Sequence, residues 1–149
     1  MQRLQSLAAR TGQTVLLYDG QPAAACYHAI SSGHTEASQN VWGGQLPYLC
    51  GVDSAWDKFA DGYEVTIQYS AEQVRTALEE LGLTPDDSPE SWVGASTWDK
   101  AGYVRTLELC GQMVSGLEVR KALDLRSTCF AIAWRGGQFV ITTRGYGHG

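Results

Sequence analysis

Between Tyr27 and Glu36 the sequence Tyr-His-Ala-Ile-Ser-Ser-Gly-His-Thr-Glu gathers two imidazoles, three aliphatic hydroxyls and a carboxylate within ten residues. Hydrogen-bonding groups at this density suit a polyhydroxylated ligand such as a glycan, although Ser, Gly and Thr equally build solvated turns. Ser32, His34 and Glu36 have the types of a nucleophile, a base and an orienting acid, but residues so close in sequence rarely reach the mutual geometry of a triad. Glu36 is the loop's only carboxylate and therefore its candidate acid. Cys26, His28, His34 and Cys50 have the chemistry of zinc ligands, yet their spacing matches no recognised zinc pattern, and buried thiols are the plainer reading. His28 would turn inward on an expected strand as a satisfied structural histidine.

Two further segments carry site-like residues. Val41 to Leu49 sets Trp42 and Tyr48 among glycines and a proline, an irregular and aromatic-lined stretch. Thr143 to Gly149 alternates glycine with Tyr146 and His148; glycine weakens a strand, so this pattern suits close backbone approach, unless it is merely a frayed end. Gly147 and His148 are its candidate site residues.

Several elements must position these groups. Leu4 to Leu7 closes a short helix. Thr14 to Tyr18 and Ala23 to Ile30 flank the turn signal Asp19-Gly20 and read as a hairpin, and Ser31 to Asn40 reads as a loop. Tyr63 to Tyr69 alternates apolar and polar side chains as a half-buried strand. Ser70-x-x-Gln73 is a capping box opening a helix that Gly82 stops, and Ser115-x-x-Glu118 opens another through Leu123. Tyr103 to Leu109 alternates as a strand, and Thr128 to Trp134 joins Gln138 to Thr143 through Arg135-Gly136-Gly137. The expected class is α+β, mainly antiparallel strands and hairpins with two or three short helices.

Composition bounds the function. A chain of 149 residues, 44% hydrophobic and 18% charged, suits one globular domain over 1–149. A net charge of −5 would repel phosphate backbones, so nucleic acid is not an expected partner. The longest apolar run, Cys129 to Trp134, is far short of the roughly 20 residues of a membrane helix. Cys26, Cys50, Cys110 and Cys129 show no C-x-x-C spacing, and small buried hydrophobes describe them better than bridges.

Thr11-Gly12-Gln13, Tyr27-His28-Ala29, Ser32-Gly33-His34-Thr35-Glu36, Val41-Trp42-Gly43 and Leu46-Pro47-Tyr48-Leu49 with Val52 together resemble the stage II sporulation protein D and amidase enhancer family of bacterial cell-wall proteins. Gly145-Tyr146-Gly147-His148-Gly149 resembles the opening of that family's glycine-histidine motif. The resemblance implies a peptidoglycan lytic transglycosylase, which cuts between N-acetylmuramic acid and N-acetylglucosamine and leaves a 1,6-anhydro end. Some members act on strands from which an amidase has removed the stem peptides. Such cleavage needs a protonated carboxylic acid at the leaving oxygen and passes through an oxocarbenium-like transition state. The sugar's own C6 hydroxyl captures the cation, so one acid/base suffices.

The family's glutamate lies upstream, before an Ala-Ala-Arg-Thr-Tyr type motif that Ala8-Ala9-Arg10-Thr11 matches only superficially, with Gly12 in place of Tyr. The expectation is the C-terminal part of the family's domain, lacking this glutamate. By resemblance, Ser32, Gly33, Thr35 and Glu36 hold sugar, Trp42 and Tyr48 stack on it, and Gly147 and His148 form the far wall. His34, where the family more often has Gly, adds an imidazole. The implied partners are peptidoglycan glycan strands and a cell-wall amidase, in the cell wall or intermembrane space of a sporulating bacterium, with no cofactor. A non-catalytic glycan-binding or amidase-enhancing module is the alternative, and a zinc hydrolase on Cys26, His28 and His34 a third.

Overall fold

The computed structural model describes residues 2–12 and 14–147, so Gln13 and His148 lie outside the described residues. The chain begins with α1 (Gln2–Thr11), the two-residue strands β1 (Leu17–Tyr18) and β2 (Gln21–Pro22), α2 (Ser38–Trp42) and a 3-10 turn over Ala55–Phe59. Regular structure then becomes dense: β3 (Glu64–Tyr69), α3 (Ala71–Glu80), β4 (Val93–Trp98), β5 (Val104–Leu109), β6 (Gln112–Ser115), α4 (Gly116–Ala122), β7 (Phe130–Arg135) and β8 (Gln138–Arg144). β8 is the middle strand of an antiparallel sheet ordered β3-β8-β7, and β5 the middle of a second, ordered β4-β5-β6. The fold is α+β, with four α-helices among the described residues where two or three were expected.

Both capping boxes form. Ser70 Oγ accepts from Gln73 N and Gln73 Oε1 from Ser70 N; Ser115 and Glu118 repeat the exchange at α4. Each closes two otherwise orphaned N–H groups, which fixes where the helices start. The helices then press Val74, Leu78 and Val119 into one apolar cluster with Leu107, Leu109 and Ile141 from the two sheets. At its centre Phe139 stacks on Trp92 at 5.7 Å and tilts against Trp134 at 4.8 Å. Burial of side chains of this size contributes about 1.5–3 kcal/mol each.

The N-terminal hairpin is shorter than expected. Only Leu17 and Tyr18 pair with Pro22 and Gln21 around Asp19-Gly20, and Ala23 to Ala29 forms no strand. Pro22 has no N–H to extend the ladder, and Ala23-Ala24-Ala25 lacks the branched side chains that favour a pleated strand. Cys26 and His28 consequently share no strand face. The expected loop also ends early: Ser38, Gln39 and Asn40 belong to α2, which Gly43 stops at φ +77°. Two strands lacked any sequence expectation, β4 and β6.

Candidate functional site

The loop after Ile30 is fastened by polar bonds drawn from distant parts of the chain. Asp57, on the 3-10 turn, accepts the Ser31 N–H at 2.7 Å and stands 3.5 Å from His28 Nε2. Burial would raise the Asp57 carboxyl, but hydrogen bonds from the Ser31 hydroxyl and N–H, from Ser54 and from His28 outweigh it and hold the group below its ordinary value. The Tyr103 hydroxyl accepts the Ser32 N–H and donates to the His34 carbonyl, while Tyr63 donates to the Ser32 carbonyl. Burial pushes the Tyr103 phenol up and keeps it a neutral donor. Tyr146 closes the seam, its N–H bonded to the Ile30 carbonyl. That approach requires Gly145, at φ +77°, where a Cβ would come within 2.8 Å of the Ile30 carbonyl oxygen.

Glu36, the loop's carboxylate, is firmly anchored, with a side chain 10% exposed. Its Oε1 accepts from the Ala37 N–H and from Asn40 Nδ2, and Oε2 accepts from Arg105 Nη2 at 2.7 Å. The same guanidinium nitrogen lies 2.8 Å from Asp99 Oδ2, off the N–H direction, so two carboxylates share one cation. Burial first and the Asp99 carboxyl second raise Glu36 above the usual carboxylate range, against the opposite pull of Asn40, the Ala37 N–H and Arg105. A raised acid is the form that glycoside chemistry uses. Here, however, both oxygens are committed to donors, which suits holding the loop better than delivering a proton.

Thr35, Glu36, Trp42, Tyr48 and Gly147, from four separate stretches, line one cavity of about 370 Å³ together with His28, Tyr27, Cys26 and Cys50. Trp42 is 60% exposed there, and the Tyr48 ring packs on Tyr18 with its hydroxyl accepting the Ala24 N–H. Ser32 lines a different cavity, and Gly33, at φ +102°, lies under the Lys58 side chain. His34 sits apart, Nδ1 2.9 Å from Asp53 Oδ1 and its ring against Gly51. The Ser32, His34 and Glu36 triad does not assemble, because Ser32 Oγ donates to the carbonyls of Ala101 and His34 rather than meeting the imidazole.

Among the described residues no three His, Cys, Asp or Glu side chains converge as a metal-binding group, and the four cysteines are unbridged. His28 and His34 face different aspartates, so the zinc arrangement has no common centre. Cys110 and Cys129 are pushed up by burial, as expected of packed thiols, whereas Cys26 and Cys50 are exposed at the cavity. The partners missing from the sequence reading are Asp57, Tyr63, Asp99, Tyr103 and Arg105. Tyr63, Tyr103 and Arg105 lie in or beside expected strands and Asp57 near exposed aromatics, which signals no site by itself.

No protein-family model matches the chain. It is similar to stage II sporulation protein D of Bacillus subtilis, 33% identical over 150 residues that cover all of this chain and 42% of that protein. The protein of the same name from Bacillus amyloliquefaciens is 32% identical over 150 residues, again all of this chain and 42% of the relative. The amidase enhancer of Bacillus subtilis is 34% identical over 88 residues, 59% of this chain and 11% of that protein. The chain thus spans about two-fifths of the length of the two sporulation proteins.

Proposed function

The chain is a relative of the stage II sporulation protein D and amidase enhancer proteins, and on that premise we propose that it is the glycan-holding part of a peptidoglycan lytic transglycosylase-type domain. It acts on denuded glycan strands outside the cytoplasm, in sporulation or cell-wall remodelling. The observation that carries this reading is the cavity uniting Thr35, Glu36, Trp42, Tyr48 and Gly147. Its exposed Trp42 offers a flat apolar face for a sugar ring, Tyr48 and Thr35 offer hydroxyl groups, and Gly147 leaves room for close approach. Glu36 fixes the wall through Arg105 and Asn40, while His34 pairs with Asp53 outside the lining.

A second reading, a glycan-binding or amidase-enhancing module that does not cleave, is favoured by one feature: both oxygens of Glu36 already accept hydrogen bonds. In that case the functional partner is a cell-wall amidase acting on the same strands. Incubation with purified peptide-stripped strands, followed by chromatography and mass analysis for 1,6-anhydro ends alongside a pull-down, separates the two. Anhydro products that disappear in Glu36→Gln would make Glu36 the acid; retention without products supports the holding role. Loss of both would remove the glycan reading.

A further inference from the structure

A second cavity, of about 510 Å³, has a lining that includes Ser32, Lys58, Tyr63, Trp98 and Arg144. Its electrostatics run against those of the whole chain. The chain carries a formal charge of −5, yet two cations and no carboxylate line this cavity. Arg144 is already neutralised, its Nε 2.8 Å from Glu64 Oε2. Among the described residues no carboxylate pairs with Lys58, whose stem lies across Gly33. Gly33 itself stands at φ +102°, a conformation that glycine adopts readily. Trp98, in the same lining, is 56% exposed. An exposed indole and an unpaired ammonium in one lining have the composition of a site for an acidic sugar: the ring covers the apolar sugar face and the cation takes the acid.

We propose that this second cavity binds the free lactyl carboxylate of a muramic acid residue, with Lys58 as its counter-ion and Trp98 as its stacking face. The proposal rests on the glycan reading above and adds a chemical criterion to it. Removal of a stem peptide converts an amide into a carboxylate on the muramic acid, so a strand carries this anion only after an amidase has acted. The Ser31–Glu36 loop contributes Ser32 to this cavity and Thr35 and Glu36 to the first. One strand contacting both would present neutral ring surface to Trp42 and its carboxylate to Lys58.

The test compares binding of the full chain to peptide-stripped strands and to the same strands with their carboxylates converted to methylamides. The expected result is about tenfold weaker binding of the amidated strands, the scale of one charge-assisted contact, shrinking as salt is raised. Lys58→Met, which keeps the stem over Gly33, should bind both forms equally and weakly, and Lys58→Arg should keep the preference. Equal binding of both forms by the unaltered chain, or a preference surviving in folded Lys58→Met, overturns the carboxylate site and leaves the glycan reading standing. Failure to bind either form removes both.

Discussion

Residues 63–147 bury an apolar cluster running from Val74 to Ile141, whereas residues 14–62 supply none of the buried hydrophobic side chains and bury Ser31 and Ser38 instead. Most of the large hydrophobics left exposed lie in the region that comes first along the chain, residues 14–62, among them Val15, Leu16, Tyr27, Trp42, Trp56 and Phe59, while Trp98, Met113 and Tyr146 are exposed in the other. One region is held by area removed from water, which tolerates small adjustments. The other is held by directed bonds to Asp57, Tyr63, Tyr103 and Arg105, which do not. The cavity walls are therefore positioned by a few polar contacts on a rigid base, and apolar surface remains free to meet a ligand.

The sharpest way to break the contrast is to damage the base. Phe139→Ala removes a fully buried ring touching Trp92 and Trp134 and should cost about 3–5 kcal/mol, melting both regions together in urea or heat. Tyr103→Phe removes the hydroxyl that serves Ser32 and His34. A loss of about 1–3 kcal/mol is expected, confined to the first region: amide exchange should quicken around Ser32 while Phe139 and Ile141 keep their protection.

Acid should make the same distinction more gently. Asp57 titrates below its ordinary 3.8 when folded, so its contribution is complete above the unfolded value and disappears as pH falls through the lower folded one. Below about pH 4 the Ser31 seam should loosen before the apolar cluster, as seen in residue-resolved spectra, and Asp57→Asn should lose this acid dependence. The smallest effect on stability belongs to Trp42→Ala, within about 0.5 kcal/mol for so exposed a side chain, but retention of glycan strands should fall. Unchanged retention would detach the first cavity from sugar binding.

The two regions also differ in legibility. β3, β5, β7, β8 and both capped helices follow from alternation and from capping boxes, because there the local pattern and the buried face agree. β4 escaped because Val93-Gly94-Ala95-Ser96-Thr97-Trp98 does not alternate: its register shifts twice against β5. β6 escaped because it is four residues long and follows Cys110-Gly111, a turn with both residues at positive φ and no Asn or Asp to announce it. Around the first cavity Thr35, Glu36, Trp42, Tyr48 and Gly147 were visible as types and by resemblance. Their anchors were not, since Arg105 meets Glu36 across 69 residues and Tyr103 meets Ser32 across 71.

The seam between Ile30 and Tyr146 has a consequence for a chain made from one end. A ribosome releases residues in order, and domains generally fold as units when their sequence has emerged. The loop carrying Ser32 and Glu36 leaves the exit tunnel more than a hundred residues ahead of β8, the middle strand of the β3-β8-β7 sheet, and of Tyr146. Until those residues follow, the exposed aromatics of the loop region therefore wait without their wall, a long-separation closure of the kind that slows folding. A nascent chain stalled before Gly145 would carry the binding loop without its seam, and Tyr146 would complete it.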